Sequence, residues 1–204
     1  MQLSAPVIGI LRGISFDFFG DVMASSFDAG LQAIEVTFNT DRAEEIISTH
    51  RKHLPSGKML GMGTIRNMEE ARKAVFAGAM FIVTPNTDPK VIAYATSQKV
   101  PVIAGGFTPT EVYSAWSAGA AMVKVFPCGM FGPQYIRDLH GPFEQIALAA
   151  VGGVNIENVR AYFNAGAAAV GVGTSLFGRD ALKEKSPEAI YKNVRSFLDT
   201  IIQS

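Results

Sequence analysis

The sequence predicts a (β/α)8 TIM barrel, a fold of the α/β class, from three observations. A short Ala-Gly motif occurs four times, at Gly30, Gly78, Gly119 and Gly166, each time directly before an apolar run. Neighbouring copies are 41 to 48 residues apart, about twice the length of one strand-plus-helix unit. Four further apolar runs lie in the intervals, so that eight strands alternate with helices along the chain.

The strands can be assigned in order. Each Ala-Gly copy is typical of a helix that ends at a glycine and is followed by a buried strand. The even-numbered strands are therefore expected in AIEVTF, FIVTP, MVKVFP and AAVGVG. The odd-numbered strands are expected in VIGIL, KMLGMG, VPVIAGG and IALAAVGG.

Segments with one polar face lie between these strands and predict the helices. They cover residues 41–53, 67–77, 88–98, 109–118 and 155–164. A doubly wound open sheet is the alternative, but the even fourfold period favours closure into a barrel. Because no low-complexity stretch or Pro/Ser-rich linker interrupts the chain, residues 1–204 are predicted to form a single domain.

Composition argues against several classes of function. The 18 Lys and Arg residues balance 18 Asp and Glu residues, so no basic surface predicts nucleic-acid binding. No apolar run approaches the roughly 18 residues of a membrane span, and no secretion signal is recognised at the N-terminus. The single cysteine, Cys128, permits no internal disulfide, and no His or Cys spacing indicates a metal site. A cytoplasmic enzyme is the expectation.

One lysine lies where a charge is costly. Lys124 falls inside MVKVFP, and burial favours a paired or neutral amine. Counting five residues on from each repeat glycine gives Glu35, Val83, Lys124 and Gly171. Since alternate strands share one interior layer of such a barrel, Glu35 and Lys124 are expected to face each other. A structural ion pair and a catalytic acid–base pair both fit this arrangement.

Further candidates are expected at the carboxyl-end mouth of the barrel, where barrel enzymes place their chemistry. Pro85 and Phe126 follow two residues after the shared layer. Arg12 follows strand one, and its guanidinium suits a carboxylate, although a solvated or ion-paired arginine also fits. Thr64 ends GMGT after strand three, where glycines allow a ligand to approach the backbone closely.

Glycine-rich turns follow strands seven and eight, in AVGGVN and GVGTS. Loops at these two positions commonly form a phosphate site from backbone amides and a helix N-terminus. Gly152, Gly153, Gly173 and Thr174 are the candidates for such a site. Tight turns that require small residues are the alternative interpretation.

Taken together, these strand ends resemble the class I aldolases that cleave 2-keto-3-deoxy-6-phosphogluconate, its galactonate epimer and 4-hydroxy-2-oxoglutarate. The resemblance covers nearly the whole chain, through ILRG, IEVTFNT, GMGT, FIVTPN, VKVFP, GPQYI, VGGV and GVGTSLF. The order and spacing of these motifs make the resemblance more specific than any one of them.

The resemblance implies roles for the candidate residues. Lys124 would form a Schiff base with a pyruvyl carbonyl, and Glu35 would be the general acid–base, acting partly through a water. Arg12, with Thr64 nearby, would hold the pyruvyl carboxylate. The other candidates would surround the substrate: Pro85 and Phe126 at the reacting carbons, and Gly152, Gly153, Gly173 and Thr174 at the distal phosphate.

The same resemblance implies the reaction and its partners. The substrate would be a phosphorylated keto acid derived from a sugar, cleaved to pyruvate and glyceraldehyde 3-phosphate without a metal or cofactor, by a homotrimer. Phosphogluconate aldolases tend to carry threonine at the position of Val151 and arginine at that of Asn39. These departures, with FGPQYI at 131–136, are nearer the galactonate branch. The epimer preference and activity on 4-hydroxy-2-oxoglutarate stay open.

Two other functions also fit the residues. A phosphate-binding barrel isomerase or epimerase would use Lys124 as an electrostatic group without a covalent intermediate. A non-catalytic sugar-phosphate sensor would use Lys124 and Glu35 as a structural pair. Borohydride reduction in the presence of pyruvate separates these functions from an aldolase, because only a Schiff base leaves a reduced adduct on Lys124.

Overall fold

The computed structural model describes residues 6–202, so residues 1–5 and 203–204 of the predicted domain lie outside the described part. Eight parallel strands form a closed barrel in the sequential order β1 to β8. They are β1 Val7–Leu11, β2 Ala33–Thr37, β3 Met59–Gly63, β4 Ile82–Val83, β5 Val102–Gly105, β6 Met122–Val125, β7 Leu148–Val151 and β8 Ala169–Val172. The predicted barrel is confirmed, and the open sheet is excluded.

Helices alternate with the strands around the outside of the barrel. They are α1 Phe16–Asp28, α2 Ala43–His50, α3 Met68–Phe76, α4 Pro89–Ser97, α5 Pro109–Ser117, α6 Gly132–His140, α7 Val159–Asn164, α8 Thr174–Phe177, α9 Arg179–Lys183 and α10 Pro187–Ile202. Short 3₁₀ turns follow α2, at Arg51–His53, and precede α6, at Cys128–Met130. Up to residue 202, three helices, α8 to α10, follow the last strand.

Local chemistry explains where several helices begin and end. The Asp88 side chain accepts a hydrogen bond from the Lys90 amide (2.9 Å) at the start of α4, and Thr108 with Glu111 forms a capping box on α5. The four repeat glycines all have positive φ, between 91° and 110°, the left-handed conformation that commonly ends a helix. The predicted helix ends at these glycines are therefore confirmed.

One helix is shorter than expected. The segment 155–164 was predicted as helical, but α7 begins only at Val159. The Asn155 side chain accepts hydrogen bonds from the backbone N–H groups of Glu157 (3.1 Å) and Asn158 (3.1 Å). Because Asn offers the backbone this local alternative to helical bonding, the first residues form a turn.

The core has two parts, as expected for a barrel inside a ring of helices. Most buried apolar residues lie between the strands and the helices. A smaller cluster fills the barrel itself, from Ile8, Ala33, Phe81, Val83, Ile103, Ala149 and Ala169. Gly61 leaves the space that the Phe81 ring occupies, because a Cβ at Gly61 would overlap that ring. The filled interior provides a floor beneath the carboxyl-end mouth.

Within residues 6–202, no helix has the length and apolar character needed to cross a membrane.

Candidate active site

Lys124 and Glu35 lie inside the barrel on strands that are across from each other, Lys124 on β6 and Glu35 on β2. Both are buried, with exposed fractions of 7% and 2%. They line one cavity of about 450 Å³ at the carboxyl ends of the strands. In the described part of the chain, no direct hydrogen bond or ion pair joins the two side chains. The cavity thus separates an amine from a carboxyl group.

Burial shifts the pKa of both groups. Loss of water raises the pKa of Glu35 above its usual 4.5, and the opposing effects of Lys124 and Arg12 are smaller. Loss of water likewise lowers the pKa of Lys124 below its usual 10.5; Glu35 opposes this shift, and Arg12 adds to it. Both shifts favour the neutral form, because a charge is less stable out of water. A neutral amine can add to a carbonyl, and a neutral carboxyl can donate a proton.

The Glu35 carboxyl group is accommodated by a glycine that the sequence analysis assigned differently. A Cβ at Gly63, the last residue of β3, would overlap the Glu35 carboxyl group and its side-chain carbons. From the sequence, the glycines of GMGT are expected to let a ligand approach the backbone. Gly63 instead makes room for a side chain of the neighbouring strand. Gly63 pairs with Thr37, two residues beyond Glu35 on β2, and no local pattern in the sequence indicates this contact.

Arg12 follows β1 at the rim of the cavity and is exposed. Its guanidinium donates to the Asn39 side-chain oxygen (3.1 Å) and more weakly to the Thr64 hydroxyl (3.4 Å). Thr64 has a positive φ of 59°, which is uncommon for a β-branched residue. Such conformations persist where the surrounding structure imposes them, often at functional sites. Sequence reasoning noted Asn39 as a branch marker but not as a partner of Arg12.

Two apolar residues line the cavity that contains the amine. The Phe126 ring centroid is 5.0 Å from the Lys124 Nζ atom, and the ring also packs against Gly152. Pro85 also lines the cavity, and its backbone fills the space that a side chain at Gly105 would need. Phe126 is 44% exposed, so it forms the edge of the cavity rather than its floor.

The loops after β7 and β8 meet beside this edge. Gly152 and Gly153 have positive φ values of 90° and 84°, which glycine adopts without strain. The Gly152 carbonyl accepts hydrogen bonds from the Gly129 amide (2.9 Å) and the Cys128 thiol (3.1 Å). The Ser175 hydroxyl donates to the Val154 carbonyl (2.9 Å) and so connects the two loops. The backbone at Gly173 is open, because an added Cβ there would meet only the Ile10 carbonyl oxygen, at 3.8 Å.

The structure brings all ten candidate residues to one cavity. These are Arg12, Glu35, Thr64, Pro85, Lys124, Phe126, Gly152, Gly153, Gly173 and Thr174. The cavity also includes side chains that the sequence analysis gave no role in it: Ile10, Val154, Asn155 and Ser175. Within residues 6–202, no group of three or more His, Cys, Asp or Glu side chains is arranged to hold a metal ion. The shared location is an observation, whereas the individual roles stay predictions.

The fold and the cavity together define a (β/α)8 barrel protein with a buried amine and carboxyl group at its carboxyl-end mouth. The family model for KDPG and KHG aldolases matches residues 4–193 of this chain. The chain belongs to the KDPG and KHG aldolase family.

Individual relatives agree with this membership. The chain is 33% identical over 201 residues to the 2-dehydro-3-deoxy-6-phosphogalactonate aldolase of Escherichia coli (strain K12), covering 98% of each chain. It is 32% identical over 176 residues to a probable aldolase of the same name from Rhizobium meliloti (strain 1021), covering 86% of this chain and 83% of the relative. A solved structure, native KDPGal, superimposes with a TM-score of 0.93 at 33% identity, covering 100% of this chain and 97% of the other.

Proposed function

We propose that this chain is a class I aldolase that cleaves a 2-keto-3-deoxy-6-phospho sugar acid to pyruvate and glyceraldehyde 3-phosphate. The observation that carries the proposal is that Lys124 is buried in a cavity that it shares with Glu35. Burial lowers the pKa of Lys124. Membership of an aldolase family supports the same reaction. An isomerase or a sensor would not require a lysine held toward its neutral form.

The proposed reaction begins with attack of the neutral Lys124 amine on the C2 carbonyl. Protonated Glu35 donates the proton that lets the C2 oxygen leave as water, which gives a protonated imine and a carboxylate. That carboxylate then accepts the C4 hydroxyl proton while the C3–C4 bond breaks and its electrons move to the imine nitrogen. Protonation of C3 and hydrolysis of the imine release pyruvate and restore the amine.

The raised pKa of Glu35 fits these two duties. A carboxyl group that is neutral in the free site can donate first and accept later. Lys124 and Glu35 line one cavity without a direct ion pair, so the reacting carbons or a water that relays the proton could lie between them. Arg12 and Thr64 would hold the carboxylate, while the two glycine loops would hold the phosphate and orient the substrate.

Lys124→Ala tests the covalent step. We expect no adduct with pyruvate under borohydride and no detectable cleavage, because the nucleophile is absent while the small side chain fits the strand. Mass spectrometry of borohydride-treated protein locates the adduct, and circular dichroism checks the fold. Lys90→Ala, at an exposed position on α4, is the control and should keep both adduct and activity. Full activity of Lys124→Ala would exclude the Schiff base.

The galactonate epimer is the first substrate to compare. The Escherichia coli and Rhizobium meliloti relatives are named for 2-dehydro-3-deoxy-6-phosphogalactonate, and Val151 borders the cavity where phosphogluconate aldolases tend to carry threonine. Parallel assays of the two phosphorylated epimers and of 4-hydroxy-2-oxoglutarate decide the preference by kcat/KM. A large advantage for the compound without phosphate would contradict the proposed phosphate site.

We also propose a homotrimer in the cytoplasm. Exposed apolar side chains support an interface between copies: Tyr113, Trp116, Met130 and Phe131 are 50%, 36%, 74% and 59% exposed. Large exposed apolar patches commonly mark interaction sites. Sedimentation equilibrium gives the oligomeric state directly, and a monomer across a wide concentration range would contradict the trimer.

A further inference from the structure

Arg12 is held by two neutral partners, although it lies exposed at the rim of the cavity. Its guanidinium donates to the Asn39 side-chain oxygen (3.1 Å) and to the Thr64 hydroxyl (3.4 Å). A guanidinium carries only donors, so the oxygen of the Asn39 amide must face it. Asn39 is not among the residues that line the cavity.

Other arginines of this chain are held differently. Arg42 is paired with Glu45 (2.7 Å), Arg66 with Glu70 and Arg195 with Asp199, each three or four residues further along the chain. Among residues 6–202, no carboxylate forms an ion pair with Arg12. Asn39 thus supplies a neutral acceptor to Arg12, whereas each of those three arginines has a carboxylate partner. The charge of Arg12 is left uncompensated and available to an anionic ligand.

The turn that carries Asn39 is fixed to the loop that carries Arg12. Thr40 accepts a hydrogen bond from the Gly13 amide (3.0 Å) and contacts the buried Thr37 hydroxyl (3.0 Å). Gly13 directly follows Arg12, and Thr40 directly follows Asn39. The same turn therefore fixes both the backbone after Arg12 and, through Asn39, its guanidinium.

We propose that Asn39 is a positioning residue that holds Arg12 in its carboxylate-binding geometry without neutralising it. This rests on the proposed function, in which Arg12 binds the carboxylate of a 2-keto acid. Asn39 touches neither substrate nor the reacting atoms; it acts through Arg12. It thereby makes the site selective for keto compounds that carry an anionic group beside the carbonyl.

Asn39→Asp tests this role with a nearly unchanged shape. The new carboxylate would pair with Arg12, so we expect the pyruvate concentration that gives half-maximal borohydride adduct to rise about tenfold or more. For pyruvamide, the neutral counterpart of pyruvate, the half-maximal concentration should change by less than about twofold, because pyruvamide makes no ion pair with Arg12. Asn39→Leu removes the acceptor without adding charge, so it should weaken the binding of pyruvate by a smaller factor than Asn39→Asp does.

Asn67→Asp is the matched control. It makes the same chemical change at the N-cap of α3, where aspartate also caps well, and it should leave both titrations unaltered. An unchanged pyruvate titration in Asn39→Asp would overturn the inference. Equally weakened binding of pyruvate and pyruvamide would also overturn it. If the wild-type protein traps no pyruvate at all, the proposed function fails instead, so the two outcomes are distinguishable.

Discussion

Lys124 and Glu35 show how a residue acquires reactivity from its surroundings. An exposed lysine is almost entirely protonated near neutral pH, and an exposed glutamate is almost entirely ionised. In this barrel both are buried, and the loss of water is the largest influence on each pKa. The mutual attraction of the ionised forms opposes the shifts without cancelling them. Each group is therefore moved toward the protonation state that the proposed reaction needs first.

Glu35→Gln tests the proton transfers that the proposed reaction assigns to Glu35. Glutamine has nearly the same shape but cannot exchange a proton, so we expect turnover to fall by about 10²–10⁴-fold. The variant should still form the borohydride adduct with pyruvate, but more slowly than the wild type, because water must then supply the proton that lets the C2 oxygen leave. Steady-state kinetics and adduct mass measure the two effects. Exposed Glu144→Gln is the control, and normal turnover in Glu35→Gln would remove Glu35 from the acid–base role.

The pH dependence of Lys124 reactivity follows from the direction of its pKa shift. Because burial and the nearby Arg12 both lower the pKa, the amine should become reactive as pH rises through a value below 10.5. Removing the positive charge in Arg12→Gln should move that midpoint upward, whereas Arg12→Lys should move it less. Competitive acetylation read by mass spectrometry measures the midpoint, with exposed Lys90 as internal reference. A midpoint that moves downward in Arg12→Gln would contradict this electrostatic account.

At the scale of elements, the site depends on how closely β2 approaches β3. Gly63 on β3 has no side chain, and the space beside it holds the Glu35 carboxyl group from β2. The neighbouring Gly61 serves the barrel interior in the same way, by leaving room for Phe81. The glycines of GMGT therefore determine where two large side chains lie. Their influence on the site is indirect, through packing.

Gly63→Ala tests this packing. The added methyl group would displace the Glu35 carboxyl group, so we expect turnover to fall by about tenfold or more, since catalytic groups tolerate displacements of only about 1 Å. Gly141→Ala, after α6, is the matched control; its added Cβ meets only the Asp138 carbonyl at 3.4 Å. Turnover assays on both variants, with unfolding curves, distinguish a local effect from lost stability. Equal activities would show that Glu35 is not constrained by β3.

Over the whole molecule, closure of the barrel is what brings the site together. Lys124 is 89 positions beyond Glu35 in the chain, yet both line one cavity because β2 and β6 belong to the same closed sheet. The packed interior beneath them keeps the barrel from being a pore. Phe81 is the largest side chain of that inner cluster and is fully buried.

Phe81→Ala should test the contribution of this interior. Removing a fully buried phenylalanine typically lowers the free energy of unfolding by about 3–5 kcal/mol. Phe76→Ala, five residues earlier, removes the same group at a position that is 95% exposed. This variant should change the free energy of unfolding by less than about 0.5 kcal/mol. Urea unfolding measures both. A small loss for Phe81→Ala would show that the barrel interior collapses to fill the space.

The sequence by itself determined the barrel, the strand order and the set of residues at the mouth. Helix-ending glycines and apolar runs are local signals, and their regular recurrence fixes which strand each residue belongs to. This is why Lys124, Glu35 and the glycine loops could be identified from one chain. The late start of α7 was missed, because Asn155 and Asn158 compete for backbone hydrogen bonds within a segment of helical pattern.

Only the tertiary structure decided which neighbours these residues have. Gly63 leaves space for the Glu35 carboxyl group, and Asn39 rather than a carboxylate holds Arg12. Both arrangements depend on contacts between segments that are about 27 residues apart. Such contacts follow from strand register and loop conformation, which periodicity does not specify. The physical reason is that pKa, orientation and available charge depend on every atom near a group, whereas a local pattern specifies only its own strand.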